Sequence, residues 1–506
     1  MGPVRDARGG RAPTLGRPTW ATVSLAVLVL LSAACAPAPA EPTGAAPNGL
    51  NASLDIGHIS LTWEVSPDVT GGYDLEARVA GGPWLDMPHA VTATASYSPH
   101  TNRVDHSFRV RSAATANGPA GAWSQPVSIF YVDLVLPVVR IDTTEGAPVA
   151  DTETYVRGGF RIDPNGSGYD GYSGTMGIRG RGNTTWEYPK KPYRVKLDAA
   201  SPIMGIAAER DWVLLANYIE ESQLRTYAAM ELSRATEMAY TPTVRHVEVV
   251  FNGRYDGVYL LTQHTEVGSD RVDIARMGPG DTADEAVTGG YLLEIDQRLE
   301  WNDEPGFRTS RGVPIVVKDP EPMVDQQLSY IRGRISEFET ALFGAGFADP
   351  LTGFRPYVHM ESFIDHYLVQ EVTRNEDAFW SSTYLTKDRG EDGFRFGPVW
   401  DFDRSLGSNH NIETSPQGWW ARTRGPWMPR ALEDPTFVGQ MVQRWDELKP
   451  VFTSIANGLV PTGDALRPAV DNDAARWRYL LHRTDQPTFV RDWLLARIAW
   501  MDDQFH

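Results

Sequence analysis

The sequence predicts an α+β fold in two lobes, preceded by a separate all-β segment. Three observations carry this reading. From about residue 50 to 131, short runs such as "ISLTWEV", "YDLEARV" and "HSFRVRSA" alternate apolar and polar residues between turns rich in Gly, Pro and Asn. From about 135 to 300, strand patterns continue around one clear helix. From about 325 to the end, helical periodicity takes over. Strands gathered in one part and helices in another are the mark of an α+β layout.

Each element has its own signal. The helix within the strand-rich part is "SQLRTYAAMELSRAT", with Leu224, Ala228, Met230, Leu232 and Ala235 near helical spacing and Ser222 as N-cap. "DQQLSYIRGRISEFETALF", "ESFIDHYLVQEVTR" and "PTFVRDWLLARIAWMDDQF" are periodic in the helix-rich part. In the second of these, Ile364, Leu368 and Val372 form an i, i+4, i+8 stripe, so that helix packs on a core and ends near Arg374. "STYLTKD" and "FRFGPVWDFD" read as two strands of a hairpin joined by "RGEDG", with Pro398, Val399 and Trp400 entering a core.

The chain has 506 residues, 42% hydrophobic and 22% charged, as in soluble globular proteins. A formal charge of -18 argues against non-specific nucleic-acid binding, which needs a basic face. It fits small cations or basic partner segments as ligands.

The N-terminus reads as an address. Arg5, Arg8, Arg11 and Arg17 precede "WATVSLAVLVLLSAAC", an apolar run with the character of a secretory signal. Cys35 is the only cysteine, so the exported part has no intrachain disulfide. Its setting, "LSAAC", resembles a bacterial lipoprotein signal, in which the cysteine is lipidated and becomes the new N-terminus. The leucine stands one place further from the cysteine than usual, and an ordinary cleaved signal is the alternative. Residues 1–35 are thus a signal peptide, and 36–49, "APAPAEPTGAAPNG", a flexible tether. This places the protein in a bacterial cell envelope, lipid-anchored at the outer face of the membrane, or secreted. Within residues 50–131, "SFRVRSAATANGPAGAWSQPVSI" resembles the last two strands of a fibronectin type III module, with Trp63 as its core tryptophan.

Two stretches bear on chemistry. In "GTMGIRGRGNTTWEYPKKPYRVKLD", residues 174–198, Gly174, Gly177, Gly180 and Gly182 surround basic residues, and Arg194 and Lys196 share a face of the next strand. Such a turn lets backbone N–H groups and lysines meet phosphate. An ordinary β-hairpin is the other reading. In the second stretch, Asn375, Glu376 and Asp377 follow a helix, and a hairpin leads to Asp401 and Asp403. A hairpin returns its ends to one place, so Asp377 is expected near Asp401 and Asp403. Carboxylates with an adjacent asparagine are hard oxygen ligands suited to Mg²⁺ or Mn²⁺. A capped turn, with Asp403 bonded to backbone N–H groups, is the alternative.

The order of these parts is that of protein-kinase-like phosphotransferases, although the literal "HRD" and "DFG" signatures are absent. The segment from about 135 to the C-terminus, taken as a domain of residues 135–506, resembles the CotH (spore-coat-protein-H) family of atypical secreted kinases. The matching stretches are "RGRGNTTWEYPKKPYRVKL", "DWVLLANYIEESQLRTYAAMEL", "FNGRYDGVYLLTQHTE", "GGYLLEID", "RNEDAFWSSTYL" and "FGPVWDFDRSLG". The resemblance implies a diverged two-lobed protein-kinase-like fold, ATP with a divalent metal, and phosphorylation of protein serines or threonines. It makes Asp377 the catalytic-loop aspartate and Asp401 the metal aspartate, with Asp403 and Asn375 as further metal ligands. Lys196, Lys190, Arg181, Gly182 and Arg225 become the nucleotide-binding set. Two positions depart from the family's habit. Glu220 stands where an aspartate is common, and Ser381 and Ser382 where an asparagine often follows. The second departure leaves open a pseudokinase in a non-catalytic envelope or matrix protein. A secreted glycosidase is a third reading, with a carboxylate pair and Trp380, Trp400, Trp419, Trp420 and Trp427 as sugar platforms, but it gives the glycine-rich basic hairpin no task. His246, His264, His359 and His366 have no paired ligand spacing and read as structural. Glu294 ends an apolar strand, where it meets either the nucleotide or a basic side chain.

Overall fold

The computed structural model describes residues 44–65, 69–301, 304–408, 414–479 and 485–506. The signal segment, Cys35 and most of the tether lie outside these. Among the described residues, no helix is long and apolar enough to cross a membrane.

Alternating burial along the first strands builds a β-sandwich. One sheet holds β1 (Asn51–Asp55), β2 (His58–Thr62) and β5 (Thr94–Tyr97). The other holds β3 (Tyr73–Val79), β4 (Leu85–Asp86), β6 (Val104–Ser112) and β7 (Val127–Tyr131). Their inward residues, among them Leu54, Leu61, Leu75, Phe108 and Val110, make one core. Trp63 is buried there, edge-to-face with Tyr73 at 5.2 Å.

Seven longer strands then close into a barrel. They are β8 (Val138–Thr143), β9 (Val156–Asp163), β10 (Tyr172–Gly180), β11 (Tyr193–Ile203), β12 (Ile206–Leu215), β13 (Val244–Phe251) and β14 (Arg254–Gln263). The order around the barrel is β10-β11-β12-β14-β13-β8-β9, antiparallel except where β13 runs beside β8. Closure leaves no free edge, and Val139, Phe160, Ile178, Val195, Trp212 and Leu214 fill the interior. A short α1 (Thr184–Glu187) interrupts the β10–β11 connection, and α2 (Arg225–Arg234) follows β12. The expected helix over 222–236 begins later than Ser222. Ser222 still acts at its start, because its Oγ accepts from the Leu224 N–H at 3.1 Å.

The remainder is a five-stranded sheet flanked by helices. Its strands are β15 (Tyr291–Ile295), β16 (Gly306–Arg308), β17 (Pro314–Asp319), β18 (Thr383–Lys387) and β19 (Arg395–Phe396), in the order β16-β17-β15-β18-β19. The helices are α3 (Asp325–Phe343), α4 (Met360–Thr373), α5 (Trp427–Ala431), α6 (Pro435–Trp477) and α7 (Pro487–Phe505). They share one large core with α2, so the barrel side is joined to the helical side through that helix.

The hairpin of β18 and β19 pairs Leu385 with Phe396 and Thr386 with Arg395. The second strand stops there instead of running to Trp400. Pro398 has no N–H for a ladder, and Gly397 takes a positive φ of 116°. Val399, Trp400 and Phe402 are nevertheless buried, so the apolar signal marked core without marking strand.

Candidate functional site

Between the barrel and the five-stranded sheet lies a cleft of about 980 Å³. Its barrel wall comes from the end of β10, its connection to β11, and the end of β12. Its other wall comes from the ends of β15 and β18 and the stretch 400–404.

The turn that carries Asp377 is set by the end of α4. Arg374 leaves the helix in the left-handed region (φ 50°). Asn375 Oδ1 accepts from the Asp377 N–H at 3.3 Å, and the Asp377 carbonyl accepts from the N–H groups of Trp380 at 2.9 Å and Ser381 at 3.0 Å. Asp401 is also left-handed, with φ 66°, a conformation that costs an aspartate free energy and is held by its surroundings. The next turn is fastened to α4, where the Leu406 N–H donates to the Thr373 carbonyl at 2.8 Å. Ser382 Oγ donates to Asp401 Oδ2 at 3.3 Å.

Asp377, Asp401 and Asp403 all line the cleft. Burial, and then the negative charges of Asp401 and Glu376, push Asp377 up to about 7. Burial, with Asp401 and Asp377 beside it, pushes Asp403 well above the usual carboxylate range. These groups face one another without enough cations to balance them, a setting that favours protonation or a bound cation. Hard carboxylate oxygens of this kind fit a divalent metal. The three do not bring their oxygens within 4.8 Å of one another. Among the described residues only Asp446, Asp502 and His506, near the C-terminus, do so. An ion in the cleft therefore takes a subset of the three.

A second acidic group stands beside them. The β15–β18 register sets Glu294 opposite Tyr384 and Ile295 opposite Thr383, which carries Asp296 to the turn after Asp377. Ser381 Oγ donates to Asp296 Oδ1 at 3.2 Å, and Arg298 Nε donates to the same oxygen at 3.0 Å. Burial raises Glu294 to about 7, against the pull of Lys318 at 3.6 Å. Asp296, Arg298 and Lys318 were not anticipated from the sequence. The only signal for the first two was a polar run, "DQR", directly after the apolar strand.

The barrel wall is basic. Arg179, Arg181, Gly182 and Arg194 line it. Arg179 and Arg194 are paired in register across β10 and β11. Arg194 is held between Asp211 at 2.8 Å and Glu266 at 2.6 Å. Arg181 lies over the Trp400 ring at 5.6 Å and within the field of Asp401. Its guanidinium makes no hydrogen bond or ion pair among the described residues.

The remaining anticipated residues are placed differently. Lys190 borders the cleft but is fully buried, with Nζ donating to the Val258 carbonyl and 2.9 Å from Asp473. Lys196 does not line the cleft; it is 46% exposed and 3.7 Å from Asp211, the carboxylate that also holds Arg194. Arg225 does not line the cleft. It is buried behind it, 2.8 Å from Asp485 and 3.2 Å from Glu220, and Nε donates to the Leu406 carbonyl at 3.4 Å. Asn375 is buried beneath the Asp377 turn rather than in the cleft lining. The five tryptophans do not form a platform. Trp400 and Trp427 are in the core, Trp419 and Trp420 are half-buried with Trp419 packed on Trp500, and Trp380 is exposed at 47%.

A sequence profile of the family described as "CotH kinase protein" matches residues 178–501. No curated protein matches the chain. Among solved structures, an Fn3-like protein from Clostridium thermocellum is similar at 22% identity, covering 17% of this chain and 90% of its own, with a TM-score of 0.15. A human collagen XX FN3 domain is similar at 23% identity, covering 18% of this chain and 97% of its own, with a TM-score of 0.16. A structure of titin kinase and its flanking domains is similar at 10% identity, covering 44% of this chain and 38% of its own, with a TM-score of 0.16.

Proposed function

The chain belongs to the CotH kinase protein family, and on that premise we propose that it is an exported, metal-dependent protein kinase that transfers the γ-phosphate of ATP to serine or threonine side chains of proteins. The barrel with α2 would be one lobe of a diverged kinase fold and the five-stranded sheet with its helices the other. Export and lipid anchoring at Cys35 are part of this proposal.

One observation carries it above the others. Asp377 and Asp401, separated in sequence by a hairpin, stand together at one wall of a cleft whose facing wall carries Arg179, Arg181 and Arg194. Asp377 would orient the acceptor hydroxyl and take its proton as the oxygen bonds to the γ-phosphorus and the bond to the ADP oxygen breaks. A raised carboxyl is a better proton acceptor near neutral pH than an ordinary aspartate. Among the described residues of the barrel wall, Arg181 is the arginine without a hydrogen bond or ion pair, and it would meet phosphate oxygens in place of the diverted Lys190 and Lys196. Arg225 would act indirectly, bracing the turn that follows Asp403. Asp401 and Asp403 would hold Mg²⁺ or Mn²⁺, which when bound neutralises charge on the phosphates. Positioning and charge stabilisation supply most of the catalysis in such a site.

The test is phosphate transfer from labelled ATP by the full chain with Mg²⁺ or Mn²⁺, beside Asp377→Ala and Asp401→Ala. Transfer that falls at least 100-fold in both supports the reading. No transfer, together with no change in melting temperature on adding ATP and metal, removes it. A non-catalytic nucleotide-binding lobe is the second reading. It is favoured by Ser382, whose hydroxyl donates to Asp401 at a position where the resemblance leads one to expect an asparagine ligand. Binding without transfer would select it.

A further inference from the structure

Residues 414–422 are tied to the helices α4 and α7 and to Arg374 by side-chain hydrogen bonds. Trp493 Nε1 donates to the Thr414 carbonyl at 2.7 Å. Arg374 donates to the carbonyls of Ser415 and Gln417. Arg497 donates to those of Pro416 at 3.0 Å and Gly418 at 2.7 Å. The Glu371 carboxylate accepts from the N–H groups of Trp420 at 2.8 Å and Arg422 at 2.9 Å. Glu371 and Arg497 are themselves a fully buried pair. Backbone held at so many points is a rigid platform rather than a mobile loop.

What this platform presents is a stacked cation. Arg424 lies over the Trp420 ring at 4.0 Å, with Arg374 at 5.5 Å from the same ring. Among the described residues the Arg424 side chain makes no hydrogen bond and no ion pair. Gly425 brings it against the Asp377 turn, where a Cβ at Gly425 would stand 3.2 Å from the Phe379 carbonyl. Glu376 and Asp377 both lie within its field. Asp377 lines the donor cleft and Arg424 does not. Arg424, half-buried, therefore stands beside the Asp377 turn but outside the lining of the donor cleft.

We propose that Arg424, held over the Trp420 ring, recognises the acceptor, and that the acceptor is an acidic peptide segment with a carboxylate close in sequence to the phosphorylated hydroxyl. This rests on the kinase reading and names its substrate class. A planar guanidinium with its N–H edge unengaged matches a carboxylate in two-point geometry. The contact with Trp420 already restrains the side chain, so less of its freedom is lost on binding.

The experiment compares two acceptor peptides that share one serine, flanked by glutamates in one and by lysines in the other, with the full chain, ATP and Mg²⁺. The expected result is a kcat/KM at least tenfold higher for the acidic peptide, with the advantage shrinking as NaCl is raised. Arg424→Gln should raise the KM of the acidic peptide about tenfold with little effect on kcat. Arg424→Lys should restore part of that loss, and Arg424→Glu should reverse the preference. Equal use of the peptides, preference for lysine, or an Arg424→Gln defect confined to kcat overturns the inference. Self-phosphorylation without transfer to either peptide overturns it and leaves the kinase reading standing. Absence of any transfer removes both.

Discussion

Asp377 and Asp403 hold negative charge where folding alone would avoid it. Each is raised by burial and by neighbouring carboxylates, so each weighs on stability for the sake of the site. Asp377→Asn should therefore raise metal-free stability at neutral pH by on the order of 2 kcal/mol and abolish transfer, and Asp403→Asn should also raise metal-free stability. Paired thermal melts and transfer assays check this. A variant that loses stability as well as activity would mean that the carboxylate is structural. Glu220 behaves differently. Buried with Arg225 and sharing it with Asp485, it is raised to about 7, chiefly by burial. One guanidinium cannot fully balance two buried carboxylates. The folded state then keeps the Glu220 proton to higher pH than the unfolded chain does. Its stabilising contribution is present below about pH 4.5 and is lost as pH rises to about 7, by roughly 3 kcal/mol. Denaturant unfolding at pH 5 and pH 7.5 should show that decline in the native chain and a smaller one in Glu220→Gln.

Among the elements, α6 decides the most and was the hardest to read. It spans 43 residues with Pro450, Pro461 and Pro468 inside it. Prolines break the periodic pattern by which helices are recognised, yet a long helix accommodates them by bending. Its far end is fastened to the barrel at Gly257. There Asp473 Oδ1 accepts from the Val258 N–H at 2.9 Å and meets Lys190 Nζ at 2.9 Å. Gly257 has φ 121°, and a Cβ on it would lie 2.1 Å from Asp473 Oδ1. Gly257→Ala should cost roughly 3–5 kcal/mol, through strain and through parting a buried ion pair. Chemical denaturation measures it, and a loss below about 1 kcal/mol would show that the contact yields. The helices with unbroken stripes were legible from spacing alone, and α3 and α7 span the same residues that the pattern marks.

At the scale of the molecule, the sandwich is not a free spacer. Its core includes Val138, Val250 and Tyr255 from the barrel. Arg140 donates to the Leu54 carbonyl at 2.7 Å and pairs with Asp55 at 3.0 Å. The connection between the two is clamped where Glu248 accepts from the N–H groups of Val135 at 2.6 Å and Leu136 at 3.0 Å. Asn472 of α6 reaches the Asp133 carbonyl at 2.9 Å. Calorimetry should therefore show the sandwich and barrel melting together. Removal of residues 1–134 should lower the melting temperature by several degrees or cause aggregation, because it uncovers apolar barrel surface. An unchanged melting temperature would show that the shared core contributes nothing.

The α+β character, the carboxylates and arginines available to the site, and the order in which they arrive were all legible along the chain. Those properties follow from local periodicity and residue chemistry, which one stretch of chain carries whole. Only the tertiary structure decided which cations face the cleft. Lys190, Lys196 and Arg194 sit within one short stretch, yet burial against Asp473 diverts the first, and of the other two, which share a face of β11 and the carboxylate of Asp211, only Arg194 reaches the cleft lining. Asp296 entered beside Ser381 through the β15–β18 register, a pairing of strands about 90 residues apart that no local pattern encodes. Arg424 came to stand beside the Asp377 turn through Glu371, Arg374 and Arg497, donors and acceptors from the ends of two helices, and such long-range placement is fixed by packing and not by spacing.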